Sequence, residues 1–187
     1  MSRGSGEPGA PAPQAEVPPK YSAVIGSLDE GRAWIGKTAP PKSGAVAVDP
    51  GMIAVFCAAV EDGNPRYWPP ADSPETGESP PALLLTWAMD LPWSPTRPVR
   101  EGPLCVRVPL PGDVVANVKQ SAEFYVPIRV GDRLTMTETL TDISDLKSTA
   151  LGKGHFVTTQ AEFRRQDGVL VATMTNTLFR YRAEDGA

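Results

Sequence analysis

"GHFVTTQAEFRRQDGVLVATMTNTLFRYR", residues 154–182, decides the fold class. It contains two runs rich in Val, Thr and Phe, separated by Gln166-Asp167-Gly168, a tight-turn signal. Such residues suit a pleated, half-buried surface, so the pair reads as a β-hairpin. Just upstream, "DRLTMTETLTDISDL" (132–146) alternates, with Leu134, Met136 and then Leu140 set against Thr135, Thr137 and Thr139. "VKQSAEFYVPI" (118–128) alternates in part, with Val118, Phe124 and Val126 apolar. The C-terminal third is therefore expected to be an antiparallel meander of about four strands.

The first half of the chain has a different character. "GAVAVD" (44–49) reads as a short strand leading into a helix. Asp49 is a good N-cap, and Pro50 falls at the first helical position, where its missing N–H costs nothing. Met52, Ile53, Val55, Phe56 and Val60 give that helix a broad apolar face. "EDGNP" (61–65) ends it, with Gly63 supplying a positive φ and Pro65 blocking continuation. Short helices are also expected within "YSAVIGSLDEGRAWIG" (21–36), ending near Gly36, and in "ALLLTWAMDL" (82–91). Residues 66–81 and 92–113 are proline-rich and read as irregular. Helices first and strands afterwards make an α+β domain in which a sheet lies on an apolar helix. Residues 1–20, rich in Pro, Gly and Ala, have almost nothing to bury and read as a disordered tail, leaving one domain over 21–183.

Composition narrows the function classes. The 187 residues carry a net charge of −4 and are 41% hydrophobic, enough for one real core. Weak acidity argues against a nucleic-acid or anionic-membrane partner, since both require clustered Lys and Arg. No apolar run approaches the roughly 20 residues that span a bilayer. The N-terminus has no apolar signal-peptide core, so a cytoplasmic protein is expected. Cys57 and Cys105 are the only cysteines and His155 the only histidine. No disulfide framework, metal site or cofactor is expected from so few ligands.

One loop has the residues of a catalytic site. In "FCAAVEDGNPRYW" (56–68), a helix is followed by Asp62, Asn64 and Pro65. The same tetrad also serves as an ordinary helix stop, because Asp and Asn bond nearby backbone and Pro ends the helix. The order of this loop, of "EFYVPIRVGDRL" (123–134) and of the closing hairpin over 161–182 resembles the MaoC-like branch of the hot-dog fold. That branch contains (R)-specific enoyl-CoA hydratases and 3-hydroxyacyl-thioester dehydratases. Within it the chain is most similar to the N-terminal, fatty-acid-synthase-type dehydratase group, over roughly residues 22–182. The resemblance implies a single hot-dog domain, an antiparallel sheet wrapped on a central helix. It places Asp62 on the family's catalytic Asp, Asn64 on its supporting Asn, and Tyr67 where the family has its catalytic His.

In that family Asp and His together hold and activate one water, which adds across the double bond of an enoyl thioester. One group takes a proton from the attacking water while a proton is delivered to the substrate. Imidazole titrates near neutral pH; a tyrosine, with an ordinary pKa near 10, is a poor base. Backbone N–H groups near a helix N-terminus would polarise the thioester carbonyl. The substrate implied is an acyl-CoA or acyl-carrier-protein thioester, with Tyr67 and His155 as substrate-binding candidates. Basic groups for CoA are sought among Arg97, Arg100, Lys119, Lys147 and Lys153.

Three functions follow from the resemblance. The first is the non-catalytic or weakly catalytic half of a heteromer, paired with a second MaoC-like subunit that carries the Asp-His pair. Such a half shapes the acyl tunnel for a bulky or long chain, a steroid side chain for example. The second is a self-sufficient homodimeric hydratase using Asp62 with Tyr67 or His155. The third is a hot-dog protein that binds acyl thioesters without reaction. A thioesterase is less well supported, since the apolar segment at 82–91 offers only Asp90. A lone hot-dog unit with an apolar helix flank and an open sheet edge is expected to pair.

Overall fold

The computed structural model describes residues 23–91 and 102–182. The expected tail (1–20) and the candidates Arg97 and Arg100 lie outside the described residues.

The strands are β1 (Lys42–Ser43), β2 (Val114–Phe124), β3 (Leu134–Ile143), β4 (Lys147–Thr149), β5 (Gly152–Arg165) and β6 (Leu170–Arg182). They form one six-stranded sheet in the order β1-β3-β5-β6-β2, with β4 also pairing with β5. Every pairing is antiparallel. The hairpin at 166–168 is as expected: Gly168 takes φ 85°, its N–H donates to the Arg165 carbonyl, and the Arg165 N–H donates to the Val169 carbonyl.

The four-strand meander needs correction. β3, β5 and β6 are neighbours in chain order, but β2 lies at the far edge against β6, so the connection from β2 to β3 crosses the end of the sheet. Alternation reports which residues face inward, and it does not choose the neighbouring strand. "GAVAVD" is not a strand either. Its backbone is tied between β3 and the segment at 84–89, with the Gly44 N–H on Leu134, Ala45 on Met89 and Val48 on Asp132. Gly44 is required there, since a Cβ would collide with the Trp87 carbonyl.

The helices are α1 (Leu28–Arg32), α2 (Pro50–Ala59), α3 (Leu84–Ala88) and α4 (Leu104–Arg107). α1 starts from a Ser27/Glu30 capping box and is shorter than the expected 21–36 segment. α2 begins as the sequence predicts, with the Asp49 carboxylate accepting the Met52 N–H at 2.9 Å and Pro50 in the first turn. α4 falls in a stretch expected to be irregular.

Two apolar clusters lie on the helix side of the sheet. The first joins Ile53 and Cys57 of α2, Trp87 of α3, and Leu134, Phe163 and Ala172 of the sheet. The second joins Leu104 and Val106 of α4 to Leu140, Ile143, Val157 and Leu178. Between them, Thr159, Asn176 and Gln120 face one another across β5, β6 and β2. The Asn176 Oδ1 atom there is buried with no hydrogen-bond partner. α3, with Leu84, Trp87 and Ala88 buried, lies against β3, and α2 buries only Ile53 and Cys57 in the first cluster.

Candidate functional site

The loop after α2 is built almost entirely from its own hydrogen bonds. The Asp62 N–H donates to the Cys57 carbonyl at 2.9 Å and the Glu61 N–H to the Ala58 carbonyl at 3.4 Å, a Schellman-type close to the helix. Sequence reasoning assigned the left-handed residue to Gly63. The structure places it at Glu61, with φ 54°. The Schellman close requires that backbone at the residue just after the cap, whatever its side chain.

Beyond the stop, Asp62 and Asn64 each close a small turn. Asp62 Oδ1 accepts the Asn64 N–H at 3.0 Å, and Asn64 Oδ1 accepts the Arg66 N–H at 3.1 Å. The Trp68 Nε1–H donates to the Asp62 carbonyl at 2.7 Å. Sequence reasoning missed this brace, which a tryptophan after Asn-Pro might have been read to supply. Among the described residues the second Asp62 carboxylate oxygen has no hydrogen-bond partner, so one oxygen is committed to the turn and one is left for chemistry.

Tyr67 closes the single turn Pro65–Tyr67 in the same loop as Asp62. It is half-buried and packed against the first apolar cluster, and its hydroxyl makes no hydrogen bond among the described residues. The loop is held to the rest of the domain through Glu78, whose N–H donates to the Arg66 carbonyl at 3.0 Å and whose carboxylate lies 3.8 Å from Arg66. Glu78 also bridges to Arg129 at the start of the β3 approach.

His155 lies elsewhere. It is 3% exposed, near the start of β5 and opposite Arg180. Tyr67 packs on the cluster that holds Phe163, near the other end of the same strand. The extended strand between His155 and Phe163 is about 26 Å long. Within one chain, Asp62, Asn64 and Tyr67 come together and His155 does not join them. Asp90, the one acid offered for thioesterase chemistry, follows α3 and is half-buried.

Carbonyl-polarising donors are scarce at the N-terminus of α2. Asp49 takes the Met52 N–H through its side chain and the Ile53 N–H through its carbonyl, and Pro50 has none. Only the Gly51 N–H of the first turn is uncommitted among the described residues. Both thiols are buried. Burial, with the Asp62 charge nearby, pushes the Cys57 thiol up. Burial pushes Cys105 up to about 12, so it stays protonated and unreactive. Among the described residues no three His, Cys, Asp or Glu side chains converge as a metal site would require. No helix there is long and apolar enough to cross a membrane.

Arg180 was not anticipated. Its side chain is fully buried and donates to the carbonyls of Val24, Val106, Val108, Leu110 and Gly112, at 2.7–3.4 Å. Among the described residues no carboxylate pairs with it, and its Nε has no partner. Burial lowers its hold on the proton, and the charge of Asp113 partly restores it. The period-2 reading does contain a signal, because Arg180 shares the inward parity of Met174 and Leu178.

The fold is shared with known proteins. The ChsH1-ChsH2 complex from Mycobacterium tuberculosis matches with a TM-score of 0.61 at 19% identity, covering 84% of this chain and 93% of that one. A MaoC-like dehydratase matches with a TM-score of 0.54 at 22% identity, covering 82% of this chain and 44% of that one. In sequence, a probable enoyl-CoA hydratase alpha subunit from Thermomonospora curvata is 32% identical over 162 residues, 81% of this chain. The chain spans about half the length of that relative, 50%. The family model described as "FAS1-like, dehydratase domain region" matches residues 33–174, and the chain belongs to that family.

Proposed function

We propose that this chain is one subunit of an (R)-specific enoyl-thioester hydratase or dehydratase, the non-catalytic or weakly catalytic half of a heteromer. The observation that carries this reading is Tyr67. At the position of the family's base, its ring is packed on the apolar core with its hydroxyl unpaired, while Asp62 spends one carboxylate oxygen on its own turn. A carboxylate without an imidazole beside it lacks half of the acid–base pair that hydration requires. Likeness to a two-component complex and to a protein named as an alpha subunit supports the heteromer.

The surface supports pairing. α2 presents Met52, Val55 and Val60 outward at 43%, 72% and 55% exposure. β2 has β6 on one side and no strand on the other among the described residues. Val118, Phe124 and Tyr125 lie exposed along or beside it. An exposed strand edge and an apolar helix flank together suit a second hot-dog unit. That unit, a MaoC-like subunit with an intact Asp-His pair, would supply the chemistry. This chain would supply one wall of the tunnel for the acyl part of a CoA or carrier-protein thioester, a bulky or long chain in particular. Such thioesters are cytoplasmic substrates, and no cofactor is needed for adding or removing water.

The test is kinetic. Alone, the chain does not measurably hydrate crotonyl-CoA or longer enoyl-CoAs. Assembled with its catalytic partner it raises activity on bulky acyl groups, and Asp62→Asn changes the rate by less than about tenfold, roughly 1.4 kcal/mol of barrier. Replacing the partner's catalytic Asp costs about 10²- to 10⁴-fold. A loss of about a hundredfold or more for Asp62→Asn, with circular dichroism unchanged, would overturn the reading and make Asp62 a working base.

A further inference from the structure

At the end of the sheet away from the Asp62 loop there is an open-mouthed depression of about 220 Å³, lined by Leu146, Lys153, His155, Arg182 and the backbone around Gly112 and Gly154. Lys153 pairs with Arg182 and His155 with Arg180 across β5 and β6. Residues at 153 and 155 share one face, as do 180 and 182, because side chains alternate along a strand. Four basic side chains therefore occupy one corner of one face. Lys153 and Arg182 are exposed, and no ion pair holds either of them among the described residues.

Among the described residues, two acids lie near this corner. Asp145 is held by Arg32 at 2.6 Å, and that contact, with smaller contributions from the Lys147 and His155 charges, keeps its carboxyl below the usual range. Asp113 follows Gly112, and its charge acts on the buried Arg180. Arg180 donates to five carbonyls and pairs with no carboxylate among the described residues.

His155 gives the corner a defined polar atom. Its Nδ1 lies 3.0 Å from the Ser144 carbonyl oxygen. A carbonyl oxygen only accepts, so Nδ1 carries the proton there. That contact orients the ring, and Nε2 has no hydrogen-bond partner among the described residues. A fixed, nearly buried imidazole stands beside two cations, Lys153 and Arg182, that no described carboxylate pairs with.

We propose that this depression is an anion site that takes a phosphoryl group, held between Lys153 and Arg182 against the His155 ring. Its volume is below the roughly 300 Å³ at which pockets enclose a whole drug-sized ligand, so it fits one small anionic group. A phosphoryl group carries about −1.5 to −2 charges near neutral pH, matching two cations better than a carboxylate does. A guanidinium fork and an ammonium are the usual partners of such a group. The same chemistry occurs on free phosphate and on the nucleotide end of a thioester carrier. The inference stands on this corner alone and does not depend on the chain being a hydratase subunit.

The single histidine makes the test direct. In the full chain with ¹³C-labelled histidine, the His155 ring signal reports the site without ambiguity. Titration with inorganic phosphate is expected to shift that signal saturably, whereas chloride at matched ionic strength is not. Lys153→Gln and Arg182→Gln, both exposed, should each weaken binding about tenfold or more. Arg164→Gln, at the other end of β5, should leave it unchanged. Adenosine 3′,5′-bisphosphate is the second arm: tighter binding than phosphate assigns the site to a nucleotide, and equal binding assigns it to free phosphate. A signal that never saturates, or equal affinity in the Lys153→Gln/Arg182→Gln double variant, would overturn the proposal.

Discussion

The two ends of the sheet are assembled by opposite means. At the Asp62 end, the loop after α2 is tied by contacts between residues a few positions apart: Asp62 with Asn64, Asn64 with Arg66, Trp68 with Asp62. At the Arg180 end, one side chain collects carbonyls from Val24 and from Val106 to Gly112, residues 68 to 156 positions away. Local ties hold a loop in shape wherever it sits. The distant ones decide where the N-terminal segment, α4 and the sheet meet. The site's own shape is therefore cheap to keep and easy to alter, and the far end is where the domain is exposed to a single change.

The largest expected effect tests the far end. Arg180→Met keeps the apolar stem and removes the donors, leaving the Val108 and Gly112 carbonyls without one among the described residues, while those of Val24, Val106 and Leu110 keep backbone N–H partners. Urea unfolding should show a loss of roughly 3–5 kcal/mol, since each orphaned acceptor costs about 1–3 kcal/mol and the segment can relax only in part. A loss below about 1 kcal/mol would mean that the carbonyls find other donors, and the contrast between the two ends would fail.

An intermediate effect belongs to the Asp62 end, where one longer tie exists. The Trp87 Nε1–H donates to the Ser79 hydroxyl at 2.7 Å, with both residues buried. Ser79→Ala leaves that N–H without an acceptor and should cost about 1–3 kcal/mol in the same measurement. Tyr67 and the Asp62 turn rest on the cluster around Trp87, so the Asp62 loop should also become easier to cut by protease.

The smallest effect has the opposite sign. Glu61 holds a left-handed backbone that suits glycine better than a residue with a Cβ. Glu61→Gly should stabilise the domain by about 0.5–1 kcal/mol, read as a rise in melting temperature, without changing the behaviour of the assembled complex. A fall in melting temperature would show that the Glu61 side chain does something that the local hydrogen bonds do not.

What was legible follows the same division. The cap of α2 at Asp49, the turn at Gln166–Gly168, the Asx-type turns of Asp62 and Asn64, and the long strands at 134–143 and 152–182 all depend on neighbours in sequence, and pattern alone located them. The position of β2 against β6 was not legible, because a strand's alternation is the same whichever edge it joins. "GAVAVD" had strand-like residues, yet its backbone partners are Leu134, Met89 and Asp132, so tertiary contacts overrode its propensity. α4 is only four residues long and is held by the Glu138 carboxylate accepting the Leu104 N–H at 2.9 Å, a contact no local pattern announces.

The sequence by itself determined the fold class and the family, because both are written in residue types at short spacing. Only the tertiary structure decided that Tyr67 turns to the core, that His155 stands about 26 Å of strand away from Phe163 in the cluster on which Tyr67 packs, and that Arg180 closes the far end with no carboxylate paired to it among the described residues. The physical reason is that side-chain chemistry and local turns are set by neighbours in the chain. Which groups meet across the sheet is set by the burial of apolar surface, a term that has no direction and no sequence address.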